Sequence, residues 1–267
     1  MTRNKINLSV ILPTINESEN LKKLIPEIVV ELSGSNVDSY EILVLDDGST
    51  DDTKSFIEEL NKTNHNIILK NRTSEPSLPM SIFDGIDNSK YDYVMWLDAD
   101  GSMPAKTIRE MVNKQSEQLE AVIIGSRFVE GGGYKGIQEI GTTSFLSAIK
   151  NVRKSNDSVF GMIASTLFNK LLILILSSEI KDLTSGFIIG KKENFKKDIF
   201  LKSSYGEYFV YLVTHLIISK VQIVELGYIC ETRIHGESKT ASSLLQLVNR
   251  GIPYINAAII CRRKIWI

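Results

Sequence analysis

The chain has 267 residues, 43% hydrophobic and 24% charged, which is ordinary globular composition with room for one large α/β domain or two small ones. Its 31 basic and 32 acidic side chains leave a net charge of -1, so there is no basic excess to suggest a nucleic-acid partner. The two cysteines, Cys230 and Cys261, make neither a disulfide framework nor a zinc spacing, and fit a reducing compartment.

The N-terminal segment lacks the apolar length and small-residue cleavage site of a signal peptide. No window reaches the roughly 18 consecutive apolar residues of a spanning helix. A soluble or peripherally bound body is therefore expected. In chain order, Leu8–Thr14 (LSVILPT) reads as a buried strand. A capping box of Asn16 and Glu19 is expected to open a helix carrying Leu21, Leu24, Ile25, Ile28, Val29 and Leu32. Glu41–Asp47 (EILVLDD) is a second strand, with Ser49 or Thr50 capping a helix that buries Phe56, Ile57 and Leu60. Asn66–Lys70 is a shorter third strand. Tyr93–Asp98 (YVMWLD) is a fourth, followed by Pro104 at the start of a helix with Ile108, Met111, Val112 and Leu119 on one stripe. Ala121–Phe128 (AVIIGSRF) is a fifth. Near-continuous apolar strands alternating with amphipathic helices predict an α/β fold, a mostly parallel central sheet covered on both faces. Gly131–Asp157 reads as a long mobile loop, and loops of that length in compact domains are often functional.

In such sheets ligands bind at the carboxyl ends of the strands. The first strand ends in Pro13-Thr14-Ile15-Asn16-Glu17, the second in Asp46-Asp47-Gly48-Ser49, the fourth in Asp98-Ala99-Asp100 and the fifth in Gly125-Ser126-Arg127. Each alone is compatible with a solvated turn; their coincidence at one edge points to a site. Two carboxylates about 4 Å apart repel by roughly 4 kcal/mol at an effective dielectric near 20. A hard divalent cation, Mg²⁺ or Mn²⁺, would offset that repulsion at Asp98 and Asp100, with a nucleotide diphosphate completing the oxygen shell.

The segments SVILPTINESENL, EILVLDDGSTDDT, VMWLDADGSMP, IIGSRF, DLTSGF and RIHGESK resemble, in order and spacing, the family-two inverting glycosyltransferases of the Rossmann-like GT-A fold. The nearest likeness is to the polyprenyl-phosphate glycosyltransferases of the dolichol-phosphate mannose synthase branch. It runs from about Leu8 to Lys239. The resemblance implies that Pro13, Ile15 and Glu17 line the nucleotide site and that Asp46 or Asp47 bonds the base. It implies that Asp98 and Asp100 hold the metal and diphosphate, and that Arg127 and Arg233 bracket the phosphates with Lys239 nearby. Asp182, Ser185 and Gly186 would floor the donor-sugar and acceptor region, with Ser165 on the acceptor side. Ser102 stands where the family often has glutamine, and Gly161 stands where the lipid-phosphate branch carries an arginine four residues before Ser165.

The implied donor is a nucleotide sugar, with GDP-mannose the first expectation. The implied acceptor is a polyprenyl phosphate, which attacks as an anion, or alternatively a saccharide hydroxyl, which needs a general base. Glu207 is the candidate base; it equally suits a first-turn glutamate favoured by the helix dipole. The expected organisation is a transferase domain over 1–239 and amphipathic helices over 240–267, interrupted at Asn249-Arg250-Gly251. Basic residues beside Trp266 and aliphatic side chains predict peripheral contact with the cytoplasmic face of a membrane.

Overall fold

The computed structural model describes residues 4–134, 156–231 and 244–265. The expectations resting on Arg233, Lys239 and Trp266 lie outside the described residues. Among the described residues the strands are β1 (Ile6–Thr14), β2 (Val37–Asp46), β3 (Ile67–Asn71), β4 (Tyr93–Trp96), β5 (Val122–Ser126), β6 (Gly133–Tyr134), β7 (Ile188–Lys191), β8 (Ile223–Gly227) and β9 (Ile229–Cys230). The helices are α1 (Ser18–Ser33), α2 (Thr53–Thr63), α3 (Leu78–Asp87), α4 (Lys106–Glu117), α5 (Asn156–Leu176), α6 (Lys197–Leu201), α7 (Tyr208–Ile218) and α8 (Leu244–Ile265).

Seven strands form one sheet in the order β3-β2-β1-β4-β7-β5-β8. All neighbours pair in parallel except β7, which runs antiparallel to both β4 and β5. The apolar runs are continuous because alternate residues feed two cores. Leu8, Val10, Leu12, Ile42, Val44, Met95 and Ile123 face α1, α2 and α4, against Leu21, Ile28, Ile57, Ile108 and Met111. Ile11, Leu43, Leu45, Val94, Trp96 and Ile124 face the other layer, with Ile82 and Ile86 of α3, Leu172 of α5, Leu212 of α7 and Ala258 of α8. Each fully buried aliphatic side chain contributes about 1.5–3 kcal/mol, so both layers are held by burial of the sheet itself.

Several local expectations are corrected. Asn16 does not cap α1: its φ is +56°. Its Oδ1 instead accepts from the backbone N–H groups of Thr50 (2.7 Å) and Asp51 (3.3 Å), tying the β1 turn to the β2 turn. Ser49 and Thr50 do not cap α2, which begins at Thr53; the N–H of Thr53 donates to Asp51 Oδ1 at 3.0 Å. Pro104 precedes α4 by two residues and accepts at its carbonyl from Thr107 N. The expected loop at Gly131–Asp157 contains the short strand β6, which pairs in parallel with β9, and the start of α5. The C-terminal segment is one helix through Arg250-Gly251, because a hydrogen at Gly251 lets α8 close on Phe168; a Cβ there would lie 3.1 Å from the ring.

Candidate active site

The carboxyl edge of the sheet opens into a cleft of about 410 Å³. Pro13, Thr14, Ile15 and Glu17 enter it from the β1 end, Asp47 from β2, and Asp98, Ala99 and Asp100 from β4. Thr184, Ser185 and Gly186 reach the same edge because β7 runs backwards: the segment before an antiparallel strand lies beside the segments that follow its parallel neighbours. Pro76, Ser77 and Leu78 at the start of α3, and the turn into α7, supply the remaining walls with Tyr254.

Each strand end is fixed by its own backbone chemistry. Asp47 N donates to Thr14 O at 2.9 Å, which locks the β1 and β2 ends together. The Asp47 carboxylate pairs with Arg72 and accepts from Ser77 N at 3.1 Å. Arg72 is itself held by Asp84 at 2.7 Å and Ser74 at 2.8 Å. Burial raises the Asp47 pKa above the ordinary carboxylate value, outweighing the bond from Ser77 and the Arg72 charge. After β4, Asp98 N donates to Met103 Sδ at 3.4 Å and Ser102 N to Asp100 Oδ1 at 2.9 Å. Gly101 completes this turn at φ +78°, a conformation that favours glycine. Beneath it, Trp96 Nε1 donates to Tyr208 Oη at 2.9 Å, and Tyr208 stacks on Phe200, anchoring the aspartate-bearing turn to α7.

Of the residues singled out in the sequence, Pro13, Ile15, Glu17, Asp47, Asp98, Asp100, Ser185 and Gly186 line this cleft. The others are placed differently, and each for a visible reason. Asp46 is fully buried and accepts from Gly48 N and Ser49 N at 3.2 Å, so it shapes the turn while Asp47 faces the cleft. Arg127 is not among the lining residues; it gives Nε and Nη2 to Asp182 at 2.9 and 2.8 Å, and Nη2 to Thr184 Oγ1 at 2.7 Å. Burial disfavours the Arg127 charge, but Asp182 outweighs it and raises the guanidinium pKa further. Asp182 is fully buried and lies under the 184–186 wall instead of forming its surface. Ser165 meets Tyr134 Oη at 3.2 Å, away from the lining. Glu207 is buried at the start of α7, where Oε1 accepts from Ser204 N (2.7 Å) and Oγ (2.9 Å) and Oε2 from Tyr205 N (3.0 Å). Its carboxylate holds the turn that bears the cleft-lining Ser204, Tyr205 and Gly206.

The sequence reading missed α3, Arg72 and Tyr254. The signal for α3 was present: Ser77 accepts from Met80 N at 3.4 Å ahead of Pro79, and Leu78, Ile82 and Ile86 recur at helical spacing. Asp98 and Asp100 offer hard carboxylate oxygens at one wall of the cleft, a donor set that suits Mg²⁺ or Mn²⁺. Among the described residues no three His, Cys, Asp or Glu side chains gather around one point. A cation here would take its other oxygens from a diphosphate and water.

A sheet with one reversed strand, helices on both faces and acidic turns at its carboxyl edge defines the GT-A fold. Residues 9–198 match glycosyl transferase family 2, and the chain belongs to that family. It is 35% identical over 127 residues, 48% of this chain and 35% of the relative, to a dolichol-phosphate mannosyltransferase of Pyrococcus furiosus. It is 28% identical over 212 residues, 76% of this chain and 62% of the relative, to the poly(ribitol-phosphate) beta-N-acetylglucosaminyltransferase TarP of Staphylococcus aureus. The chain thus spans less than two thirds of the length of either relative. Glucosyl-3-phosphoglycerate synthase of Mycobacterium tuberculosis, crystallised with Mn²⁺, UDP and phosphoglyceric acid, superposes with a TM-score of 0.63 at 16% identity. That match covers 96% of this chain and 78% of the other. The same enzyme has also been crystallised with Mg²⁺ and UDP.

Proposed function

We propose that this chain transfers a sugar, with inversion, from a nucleotide-diphosphate donor to a polyprenyl phosphate. The observation that carries the reading is the cleft itself, which Glu17, Asp47, Asp98 and Asp100 all line. Asp47, oriented by Arg72 and Ser77, is the acceptor for a nucleobase N–H, and Glu17 lies one strand over for the ribose. Asp98 and Asp100 would hold Mg²⁺ or Mn²⁺, which supplies charge neutralisation to the departing diphosphate. Arg233 and Lys239 are proposed to add phosphate contacts. The protein's own contribution is then positioning, because a phosphate acceptor is already ionised at neutral pH.

Glu207 bears on the acceptor. Both of its oxygens are committed to Ser204 and Tyr205. That favours an acceptor needing no base at this position. The likeness to a dolichol-phosphate mannosyltransferase supports GDP-mannose as the first donor to test.

Peripheral docking on the cytoplasmic face of a membrane is part of the same reading. α5 and α8 lie side by side in the same direction, with Phe168 against Tyr254 and Arg262 Nη1 donating to Ile175 O at 2.6 Å. Leu167, Leu171 and Leu174 of α5 and Ile252, Ile259 and Ile260 of α8 are exposed, as are Arg263 and Lys264. Among the described helices none is long and apolar enough to cross a membrane. Aliphatic side chains beside basic ones are what an interfacial helix offers to anionic headgroups.

A second reading, transfer to a saccharide hydroxyl in surface-polysaccharide assembly, rests on the TarP likeness, which extends over 76% of this chain. A panel of radiolabelled nucleotide sugars, including GDP-mannose and UDP-glucose, tested against polyprenyl phosphate and against saccharide acceptors with Mn²⁺, separates the two. Label in the organic phase supports the lipid phosphate. Label only in the saccharide supports the second reading, and no transfer to either overturns both.

A further inference from the structure

The family match ends at residue 198. Yet Ser204, Tyr205, Gly206, Tyr208, Phe209 and Tyr254 all line the cleft. The first five belong to the turn into α7 and its first residues. Tyr254 comes from α8, more than fifty residues past the end of the match. This wall stands on the β7 side of the cleft: Tyr208 Oη would lie 3.4 Å from a Cβ at Gly186, just before β7. Asp47, Ser77 and Leu78 stand at the opposite, β2 side. Strand order therefore puts the nucleotide-facing wall at one end, the two aspartates of the β4 turn in the middle, and Tyr254 at the far end.

The local packing shows that Tyr254 is held in place. Its ring sits edge-on to Phe168, with centroids 5.7 Å apart at 82°. Its hydroxyl occupies the space left by the missing side chain of Gly206: a Cβ there would be 2.0 Å from Oη and 3.1 Å from Cζ. Burial raises the phenol pKa well above its ordinary value, so the hydroxyl keeps its proton at neutral pH and can donate. A proton donor fixed at the rim of an acidic cleft, with no hydrogen bond to another described residue, is set to meet a ligand oxygen.

We propose that Tyr254 contacts the acceptor. Its hydroxyl donates to an oxygen of the acceptor's polar head, and its ring closes that end of the cleft against water. The proposal rests on the transferase reading but not on which acceptor is used. α8 is thereby part of the active site as well as a surface helix.

The test compares wild type, Tyr254→Phe and Tyr254→Ala. Three quantities are measured: affinity for UDP and GDP with Mn²⁺ by calorimetry, hydrolysis in the absence of acceptor of the panel donor that wild type hydrolyses fastest, and transfer to farnesyl phosphate and to a saccharide acceptor. Loss of one hydrogen bond to a neutral donor predicts that Tyr254→Phe raises the acceptor KM about 5- to 10-fold, with kcat within about twofold. Nucleotide affinity should not move. Tyr254→Ala should raise acceptor-independent hydrolysis several-fold, because the end of the cleft is opened to water. If wild type transfers to neither acceptor, the functional reading fails, and the hydrolysis comparison still decides the role of Tyr254. Unchanged acceptor KM and hydrolysis, or a loss of nucleotide affinity in Tyr254→Phe, would overturn the assignment; the phenylalanine variant keeps the packing if alanine does not fold.

Discussion

Asp182 holds Arg127 at two points, Oδ2 to Nε at 2.9 Å and Oδ1 to Nη2 at 2.8 Å, with the carboxylate fully buried and the guanidinium nearly so. The same Asp182 Oδ2 also accepts from Arg127 N at 3.0 Å, and Asp182 N donates to Glu225 at 3.0 Å. The pair therefore joins the end of β5 to the wall that precedes β7, and Glu225 of β8 steadies it from below. Removing one member strands the other's charge away from water. Asp182→Ala is expected to destabilise the fold by about 3 kcal/mol, and Arg127→Leu/Asp182→Leu by less than either single change. Urea unfolding of the three variants checks this. A stable Asp182→Ala that has lost only activity would mean that Arg127 faces ligand after all.

Asp100→Ala should have the opposite profile. The replaced side chain sits in the turn after β4, and the bond it gives up from Ser102 N is worth about 0.5–1.5 kcal/mol. The fold should survive while transfer falls about a hundred- to a thousandfold, as for loss of a principal electrostatic group. Excess chelator should silence wild type to the same level. Activity that persists either in the variant or in chelator would remove the metal from this site.

The Asp47 pKa carries a pH signature. Burial raises it above 3.8 in the folded protein, so the folded state holds this proton more readily than the unfolded chain. By linkage its ionisation costs stability: the contribution is fully present below pH 3.8 and is lost as pH rises through the folded pKa. For ligand binding the sign is reversed, because only the carboxylate accepts at both oxygens. Affinity for UDP or GDP should therefore fall as pH drops toward and through the folded value, in a window that begins above 3.8. Asp47→Asn should weaken binding at neutral pH and flatten that dependence, as calorimetry across pH can show.

Much of this site could be read from the chain, for a physical reason. A strand buried on both faces writes itself as an uninterrupted apolar run, so Val10–Leu12, Leu43–Leu45 and Val94–Trp96 announce themselves, and the polar residues that follow must fall at one edge. Asp98, Asp100, Asp47 and Glu17 were found that way. What could not be read are contacts between distant segments. Whether Asp46 or Asp47 faces the cleft depends on Arg72 arriving 25 residues later to take Asp47. Glu207 has the spacing of a base, but its oxygens are claimed by Ser204 and Tyr205 in a turn whose shape no periodicity encodes. Tyr254 looks like one more apolar position of a surface helix until α8 is packed against α5 and α7.

The close approach of Gly206 to Tyr254 makes a suppressor prediction. Gly206→Ala would force its methyl to 2.0 Å from Tyr254 Oη, a distance real contacts do not allow, so either the turn or α8 must shift. A shift of the turn would also disturb the Glu207 bonds. The variant should lose about 1–3 kcal/mol, as overpacked sites do. Tyr254→Phe in that background removes the clashing atom and leaves the next contact at 3.1 Å, so it should restore most of the stability. Thermal melts of the single and double variants decide it. Additive losses would mean that α8 is not packed on this turn in solution.

The outer face of the α5–α8 pair gives the last prediction. Arg263 and Lys264 are exposed at the C-terminal end of a helix that has no acidic residue between Leu244 and Ile265, and Leu171 and Leu174 are exposed on its neighbour. If this face meets a bilayer, the two kinds of residue act through separable forces. Each basic residue near an anionic surface contributes about 1 kcal/mol, within a Debye length. Neutralising Arg263 and Lys264 to glutamine should therefore cost about 2 kcal/mol, roughly a thirtyfold loss of vesicle affinity. The loss should shrink as salt rises. Leu171→Ser/Leu174→Ser removes apolar area, at about 25 cal/mol per Å² of burial, so its effect should persist at high salt. Co-sedimentation with phosphatidylglycerol vesicles at low and high salt measures both. Neither variant should alter UDP or GDP affinity, since none of these four residues lines the cleft. If the wild-type protein fails to sediment with these vesicles at low salt, the face does not dock on membranes, and a saccharide acceptor becomes the better reading.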